Sequence, residues 1–462
     1  MSLPGGKVVK YAILITAIAA MLIPIIVIEN NVLQHTQGNV TYPRDNVFVN
    51  LTVARNLAFN EVWGITKYSF QFASSSPLYT ILLAVVYFIA GSSLVIPLII
   101  NGLAAIFLLF MAQRWLIRRG LPPGGQLLIL LLVIILSPLP LLVISGTEHT
   151  LQLLLSFLFI STFAEAVIAN PSQKATTKLS RWVYIYGALM LLSGYECSVI
   201  ALVACGFLLW RHQRSQAAKL AVAAFLPILL LGLLSISKGG YFLPNPLLLD
   251  SAATTYSEAF LVGNTIIVVG VLLAYYGKKS RPGRRPTMAR RALIPVLILL
   301  AILAGFRNTA LWTNTGQDCI DLYHQQYQTA KFVHRYYNRY GIAFNEPGAI
   351  SYLSEGRKLD LTGAADHTVM RSRRTNNWSP ATADSLSRKE NIRIAILSAP
   401  SFSSVLPQRW NKVASWKTPN STSAGYDSVS FYVPDTFSIK PLQKNLKDYQ
   451  PFLPAKTVVR YY

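Results

Sequence analysis

The first 305 residues hold eight carboxylates, Glu29, Asp45, Glu61, Glu148, Glu165, Glu196, Asp250 and Glu258, so few that each position carries information. An ionisable group near a hydrocarbon core is costly and marks either function or a paired structural role. On the topology set out below, seven of the eight fall at one face and Glu165 at the other. Asp45, Glu148 and Glu196 converge there with the loop Lys238–Asn245, which predicts a site at the outer membrane boundary. The competing reading is that acidic residues are excluded from apolar helices and collect in loops whatever they do. No P-loop, nucleophile-elbow serine, CxxC or HExxH is present, so the chemistry falls to carboxylates beside Lys, Arg and Tyr.

The elements that must position these groups follow from composition. Of the 462 residues, 52% are hydrophobic and 13% charged, where soluble domains carry roughly 25% charged residues. Apolar runs at Tyr11–Ile28, Val95–Met111, Gly125–Ile144, Leu151–Ile168, Leu220–Ile236, Ala259–Tyr276 and Ala292–Gly305 can cross a core that takes about 20 helical residues. The first run lacks a small-residue cleavage site and is read as a retained anchor. The formal charge of +23 would suggest nucleic acid in a soluble protein, but the basic clusters sit at span ends instead. Arg114–Arg119, Lys174–Arg181, Arg211–Lys219 and Lys278–Arg291, with Lys7 and Lys10, all lie on the cytoplasmic side if positive residues stay inside. Pro77–Gly91 is then an interfacial helix, and Trp182–Ser193 and Cys197–Trp210 are two short helices meeting at Gly194-Tyr195-Glu196. The count is about nine spans plus interfacial helices, with the loop 29–94 and everything after about residue 306 outside the cytoplasm.

Beyond Gly305 apolar runs shorten and polar residues rise, which predicts two units, a membrane unit 1–305 and an extracytoplasmic unit 306–462. Helical periodicity over Asp318–Tyr340 and strand patterns at Ile342–Phe344, Lys358–Leu361, Ile392–Leu397, Val413–Trp416 and Ser428–Val433 predict an α/β or α+β domain. From Arg307 onward 20 basic residues face 11 acidic ones, a balance suited to an anionic glycan, a lipid headgroup or simply a solvated surface. The three cysteines, Cys197, Cys205 and Cys319, make no disulfide framework and are expected to pack.

Several segments, in order along the chain, resemble a known family. Arg44-Asp45-Asn46-Val47-Phe48-Val49, then Ala54-Arg55-Asn56-Leu57 and Ser75-Ser76-Pro77-Leu78-Tyr79, resemble the first outer loop of bacterial GT-C glycosyltransferases related to mycobacterial arabinofuranosyltransferases. Ser145-Gly146-Thr147-Glu148, Gly194-Tyr195-Glu196 and Gly240-Tyr241-Phe242-Leu243-Pro244-Asn245-Pro246 resemble later loops of that family. Asn345-Glu346-Pro347-Gly348-Ala349-Ile350-Ser351-Tyr352 and Asp360-Leu361-Thr362-Gly363 resemble segments of its outer domain.

The resemblance implies a GT-C-like polytopic helical membrane domain with a C-terminal extracytoplasmic domain, in a bacterial inner membrane with the N-terminus cytoplasmic. It implies inverting transfer of a sugar from a polyprenyl-phosphate donor to a glycan, lipid or protein acceptor of the cell envelope, with no nucleic acid involved. Carried over by position, Asp45 is the candidate base that takes the acceptor proton, against a plain helix N-cap. Lys238, Tyr241, Asn245 and Arg55 are candidates for the donor phosphate, against a snorkelling lysine and an ordinary ion pair. Glu148, His149 and Glu196 are candidates for the acceptor or for a divalent cation, Mg or Mn, against helix-start and bridging roles. The sequence departs from the family where Asn46 replaces a second aspartate, which weakens a metal site, and where Thr52 replaces an arginine. A lipid-linked-sugar flippase and a non-catalytic glycan-binding relative are the alternatives. A transporter would be expected to show inverted repeats, and the chain has none in its sequence.

Overall fold

Apolar runs punctuated by proline, glycine and basic residues become helices in the computed structural model of the chain, which describes residues 5–169, 179–249, 302, 305, 308–398, 406–418, 428–435, 438–455 and 457–462. The helical part comprises α1 (Gly5–His35), α2 (Asn46–Asn60), α3 (Pro77–Ala90), α4 (Ile96–Arg118), α5 (Pro123–Leu136), α6 (Leu139–Ile144), α7 (His149–Ala169), α8 (Arg181–Ser193), α9 (Ser198–Trp210) and α10 (Arg214–Ser237). Four of these, α1, α4, α7 and α10, are long and apolar enough to cross a membrane. Their outward faces carry exposed Ile23, Ile26, Leu103, Phe107, Val222, Leu229 and Leu233, a surface that water would penalise and lipid would not. The expected spans at 259–276 and 292–305, with Asp250, Glu258 and the basic cluster 278–291, lie outside the described residues.

The expected span Gly125–Ile144 is corrected: it is two helices, α5 and α6, because Pro138 cannot donate into a continuing ladder. The carbonyl of Leu136, orphaned by the break, accepts a hydrogen bond of 2.9 Å from Asn308 Nδ2. The helices α8 and α9 meet at a 3₁₀ turn, Tyr195–Cys197, as the sequence predicts. The freed carbonyl of Ser193 accepts from Ser76 Oγ at 2.7 Å and Gln152 Nε2 at 2.9 Å. Short α3 packs on α2 and leaves Ile81, Val85, Phe88 and Ile89 exposed, the amphipathic habit expected of an interfacial helix. All three cysteines are free and buried.

Contacts between helix ends give the bundle two poles. At one, Gln113 donates to the carbonyl of Lys10 at 2.7 Å, Arg118 pairs with Glu165 at 3.3 Å, and Tyr184 bonds Gln216. The sheet domain caps the other.

A helix over residues 308–337, relaxed into a π-helical turn at Tyr323–Tyr327, joins the two regions. Leu311, Cys319 and Ile320 pack in the helical core, whereas Leu322, Tyr323 and Phe332 pack in the second core. Six strands follow: β1 (Gly341–Phe344), β2 (Lys358–Asp360), β3 (Ile392–Leu397), β4 (Asn411–Lys417), β5 (Ser428–Val433) and β6 (Val458–Tyr461). Their order is β2-β1-β3-β5-β4-β6, parallel across β2, β1 and β3 and antiparallel beyond. Side chains alternate between faces, so Ile342, Phe344, Ile394 and Ile396 enter one core and Ala343, Ala395 and Leu397 another. Tyr42, Val47, Phe48, Leu51, Tyr79 and Leu83 share the first of these cores, so the segment 42–96 and the sheet are packed as one body.

Candidate functional site

The resembled positions gather into three neighbourhoods. The first is centred on Asp45, whose backbone is helical and whose carboxylate does not cap α2. It reaches instead across 303 residues of chain, where Oδ2 accepts from the Gly348 N–H at 2.6 Å and Oδ1 from the Ala349 N–H at 2.8 Å. Gly348 is required by this approach, since a Cβ there would stand 1.9 Å from the Asp45 carbonyl oxygen and 2.5 Å from its carboxyl carbon. Parallel strands present ligand sites at their C-terminal ends, most often where strand order reverses. The turn after β1 lies at such a point: β2 is on one side, β3 on the other, and Asn345 Oδ1 accepts from Ser398 N at 2.9 Å. Glu346 and Asp360 flank Asp45. Burial, then the charges of Asp45 and Asp360, push Glu346 to about 8. Burial raises Asp45 to about 6 against the pull of its two N–H donors. Asp360 is also raised by burial and opposed by Thr362 and Ala365.

The second neighbourhood lies at the bundle end beneath α2. Glu148 Oε2 accepts from Asn50 Nδ2 at 3.4 Å, His149 Nδ1 meets Gln152 Oε1 at 2.8 Å, and Gln152 Nε2 reaches Glu196 Oε2 at 3.4 Å. The three candidates do come together, as a network that ties α2, α7 and the 195–197 turn. Among the described residues no group of three or more His, Cys, Asp or Glu is arranged to hold a metal ion. Each Asp45 oxygen accepts one backbone N–H, and Asn46 places a neutral amide beside it in place of a second charge, a weak donor set for a hard divalent cation.

The third is a cavity of about 500 Å³ between the loop 66–71, the end of α10 and the sheet domain. Lys238, Arg357, Lys358, Arg371 and His367 line it, with Asp366 and Glu390 as its acids. Both acids are engaged. Glu390 pairs with Arg357 at 3.1 Å, and Asp366 caps the His367–Arg374 helix through Thr368 N and Val369 N. Burial raises Asp366 to about 6. Lys358 is buried with Nζ donating to the Ile65 carbonyl at 2.9 Å, and burial, with Arg55 nearby, brings it down to about 7. Arg371 donates to the Gly239 carbonyl at 3.0 Å, joining α10 to the sheet domain.

Asn245 stands behind this wall rather than in it. The Phe72 N–H donates to His367 Nε2 at 3.2 Å, which leaves the proton on Nδ1 to meet Asn245 Oδ1 at 3.2 Å, while Asn245 Nδ2 donates to the Gly363 carbonyl at 3.0 Å. Gly240 makes room, because a Cβ there would lie 2.9 Å from the His367 ring. Asn245→Ala is expected to lower stability by about 2 kcal/mol, read as a melting shift, because it removes the acceptor of the His367 Nδ1–H and the donor to the Gly363 carbonyl. An unchanged melt would show the clip to be idle.

Tyr241 lies under Arg374, its ring 5.3 Å from the guanidinium, and does not line the cavity. Arg55 does not line it either, donating to the Tyr352 carbonyl and lying over that ring at 5.1 Å. Of the four phosphate candidates, Lys238 alone is in the wall. Lys358, His367 and Arg371 were not singled out by sequence; the His-x-x-x-Arg spacing on one helix face was the available signal. Residues 317–432 match a family described as a domain of unknown function (DUF8728), spanning the second half of the linking helix and the sheet as far as β5. No curated protein and no solved structure matches the chain.

Proposed function

We propose that this chain is a polytopic membrane glycosyltransferase of the GT-C kind, moving a sugar from a polyprenyl-phosphate donor to an envelope glycan, lipid or protein. The observation that carries the reading is the cationic cavity at the end of an apolar helix: Lys238, Lys358 and Arg371 meet where α10 leaves its lipid-facing surface. A donor's lipid tail would stay against α9 and α10 while its phosphate reaches these cations, which would stabilise charge on the departing phosphate. Asp45 remains the proposed base, since a carboxylate raised to about 6 is ionised at neutral pH yet basic enough to accept a proton. With the basic helix ends gathered at the pole opposite the sheet domain, we place that pole in the cytoplasm and the sheet outside a bacterial inner membrane, with about nine spans.

One observation favours a second reading. Both oxygens of Asp45 are taken by backbone N–H groups, as in a structural clip, which a non-catalytic glycan-binding relative would keep. The reading is tested by sugar transfer from synthetic polyprenyl-phosphate sugars to membrane glycan extracts. Wild type is expected to transfer, and Lys238→Met to raise the donor KM about tenfold with a smaller change in kcat, as for a contact made before and during the reaction. Absence of transfer from every donor by a protein that still binds them would sink the enzyme and leave the glycan-binding relative.

A further inference from the structure

Against the linking helix, a second hollow of about 230 Å³ opens between residues 328–335, the Tyr449–Phe452 turn and Gln37. Among the described residues its lining includes two cations, Lys331 and Arg335, and no carboxylate. Lys331 lies against the stacked pair Tyr323 and Tyr327, 5.2 Å and 5.3 Å from their ring centres, with Nζ 3.4 Å from the Tyr323 hydroxyl, and burial lowers its pKa. Arg335 lies over the ring of Phe452 at 4.7 Å, so each cation is set against an aromatic face, and among the described residues neither is paired with an acid. The floor fixes the depth. Tyr323 OH donates to Gln37 Oε1 at 3.0 Å, and Gln37 follows the end of α1 at His35. At 1.5 Å per helical residue, His35 at the end of α1 stands roughly 10 Å past Ile28, where the apolar run ends, and Gln37 follows it. That is headgroup depth, and exposed Phe452 has the aromatic character of a membrane interface.

The geometry points to a site for the headgroup phosphate of an anionic phospholipid, held between Lys331 and Arg335. A zwitterionic headgroup would bring a cation into a hollow that already has two, and a soluble anion would gain nothing from the adjoining apolar surface of α1. The site is separate from the cationic cavity and does not depend on the transferase reading.

The test uses full-length protein in neutral detergent, titrated with short-chain phosphatidylglycerol, short-chain phosphatidylcholine or inorganic phosphate and read by native mass spectrometry. Phosphatidylglycerol is expected to bind, and the double variant Lys331→Met/Arg335→Met, which keeps the aliphatic stems on the rings, to bind it about tenfold or more weakly. A charge-matched control, Lys389→Met/Arg393→Met, on exposed positions elsewhere, is expected to bind as wild type does. If the double variant fails to melt cooperatively, Arg335→Met alone carries the test, since its side chain is exposed. Equal affinity for phosphatidylcholine, equal affinity for inorganic phosphate, or full binding by the folded variant would each overturn the proposal.

Discussion

Asp45→Asn is expected to lower sugar transfer by about a thousandfold, within the range by which a positioned general base contributes, while the protein still folds. The same substitution has a structural cost. An amide presents one oxygen and one NH₂ group to the Gly348 and Ala349 N–H groups, so one charge-assisted bond is lost and a donor faces a donor. That costs roughly 2–4 kcal/mol, enough to shift the melt without abolishing it. Gly348→Ala separates the two roles. Its methyl would fall 1.9 Å from the Asp45 carbonyl oxygen, so the loop must move away from the sheet although the carboxylate is retained. Overpacking of this severity is expected to cost about 3 kcal/mol or more. A base predicts that Asp45→Asn loses far more activity than Gly348→Ala at temperatures where both are folded. A clip predicts that activity in both variants tracks the folded fraction. The second outcome, in purified protein with a donor that wild type uses, would remove Asp45 from the chemistry.

The contrast between what pattern reveals and what only folding reveals runs through this chain. Five of the six strands are legible from alternation at Ile342–Phe344, Lys358–Leu361, Ile392–Leu397, Val413–Trp416 and Ser428–Val433, because each presents apolar side chains to a buried face. β6 is missed, since Val458–Tyr461 is an edge strand whose residues stay half exposed and pair to β4 alone. The α8–α9 break is legible from Gly194, whereas the α5–α6 break is hidden in an apolar run whose two prolines, Pro138 and Pro140, were the signal. Sites are harder still. That Asp45, Glu148 and Glu196 lie in the same half of the molecule follows from topology. That Asp45 grips Gly348 and leaves Glu148 to Asn50 depends on contacts between segments 303 and 98 residues apart, which no local spacing encodes. The cationic cavity is likewise assembled from three distant segments, the loop 66–71, Lys238-Gly239 and residues 357–390.

The acidic turn beside Asp45 has its own signature in pH. Among the described residues no N–H group bonds the Glu346 carboxylate, unlike that of Asp45, and its folded value of about 8 lies above the ordinary 4.5. The folded state therefore binds the Glu346 proton more tightly than the unfolded chain does. The stability this contributes is fully present below about 4.5 and is lost as pH rises through about 8, in the same sense as the smaller contributions of Asp45 and Asp366, which fade by about 6. Discounted for partial exposure and for the shared charge of the cluster, the Glu346 effect is roughly 2 kcal/mol. Glu346→Gln, which cannot ionise, is expected to melt higher than wild type at pH 8.5 by that amount and to flatten the stability curve between pH 6 and 8.5. Asp45 should be untouched, because near pH 6 Glu346 is already neutral in wild type. The acid limb of transfer, if Asp45 is the base, therefore stays near 6 in both proteins while their stabilities diverge on the alkaline side. Parallel melting curves across that range would show that Glu346 is solvated and ionised in the folded protein, and would take with it the account of Asp45 as a carboxylate poised by a buried acidic neighbourhood.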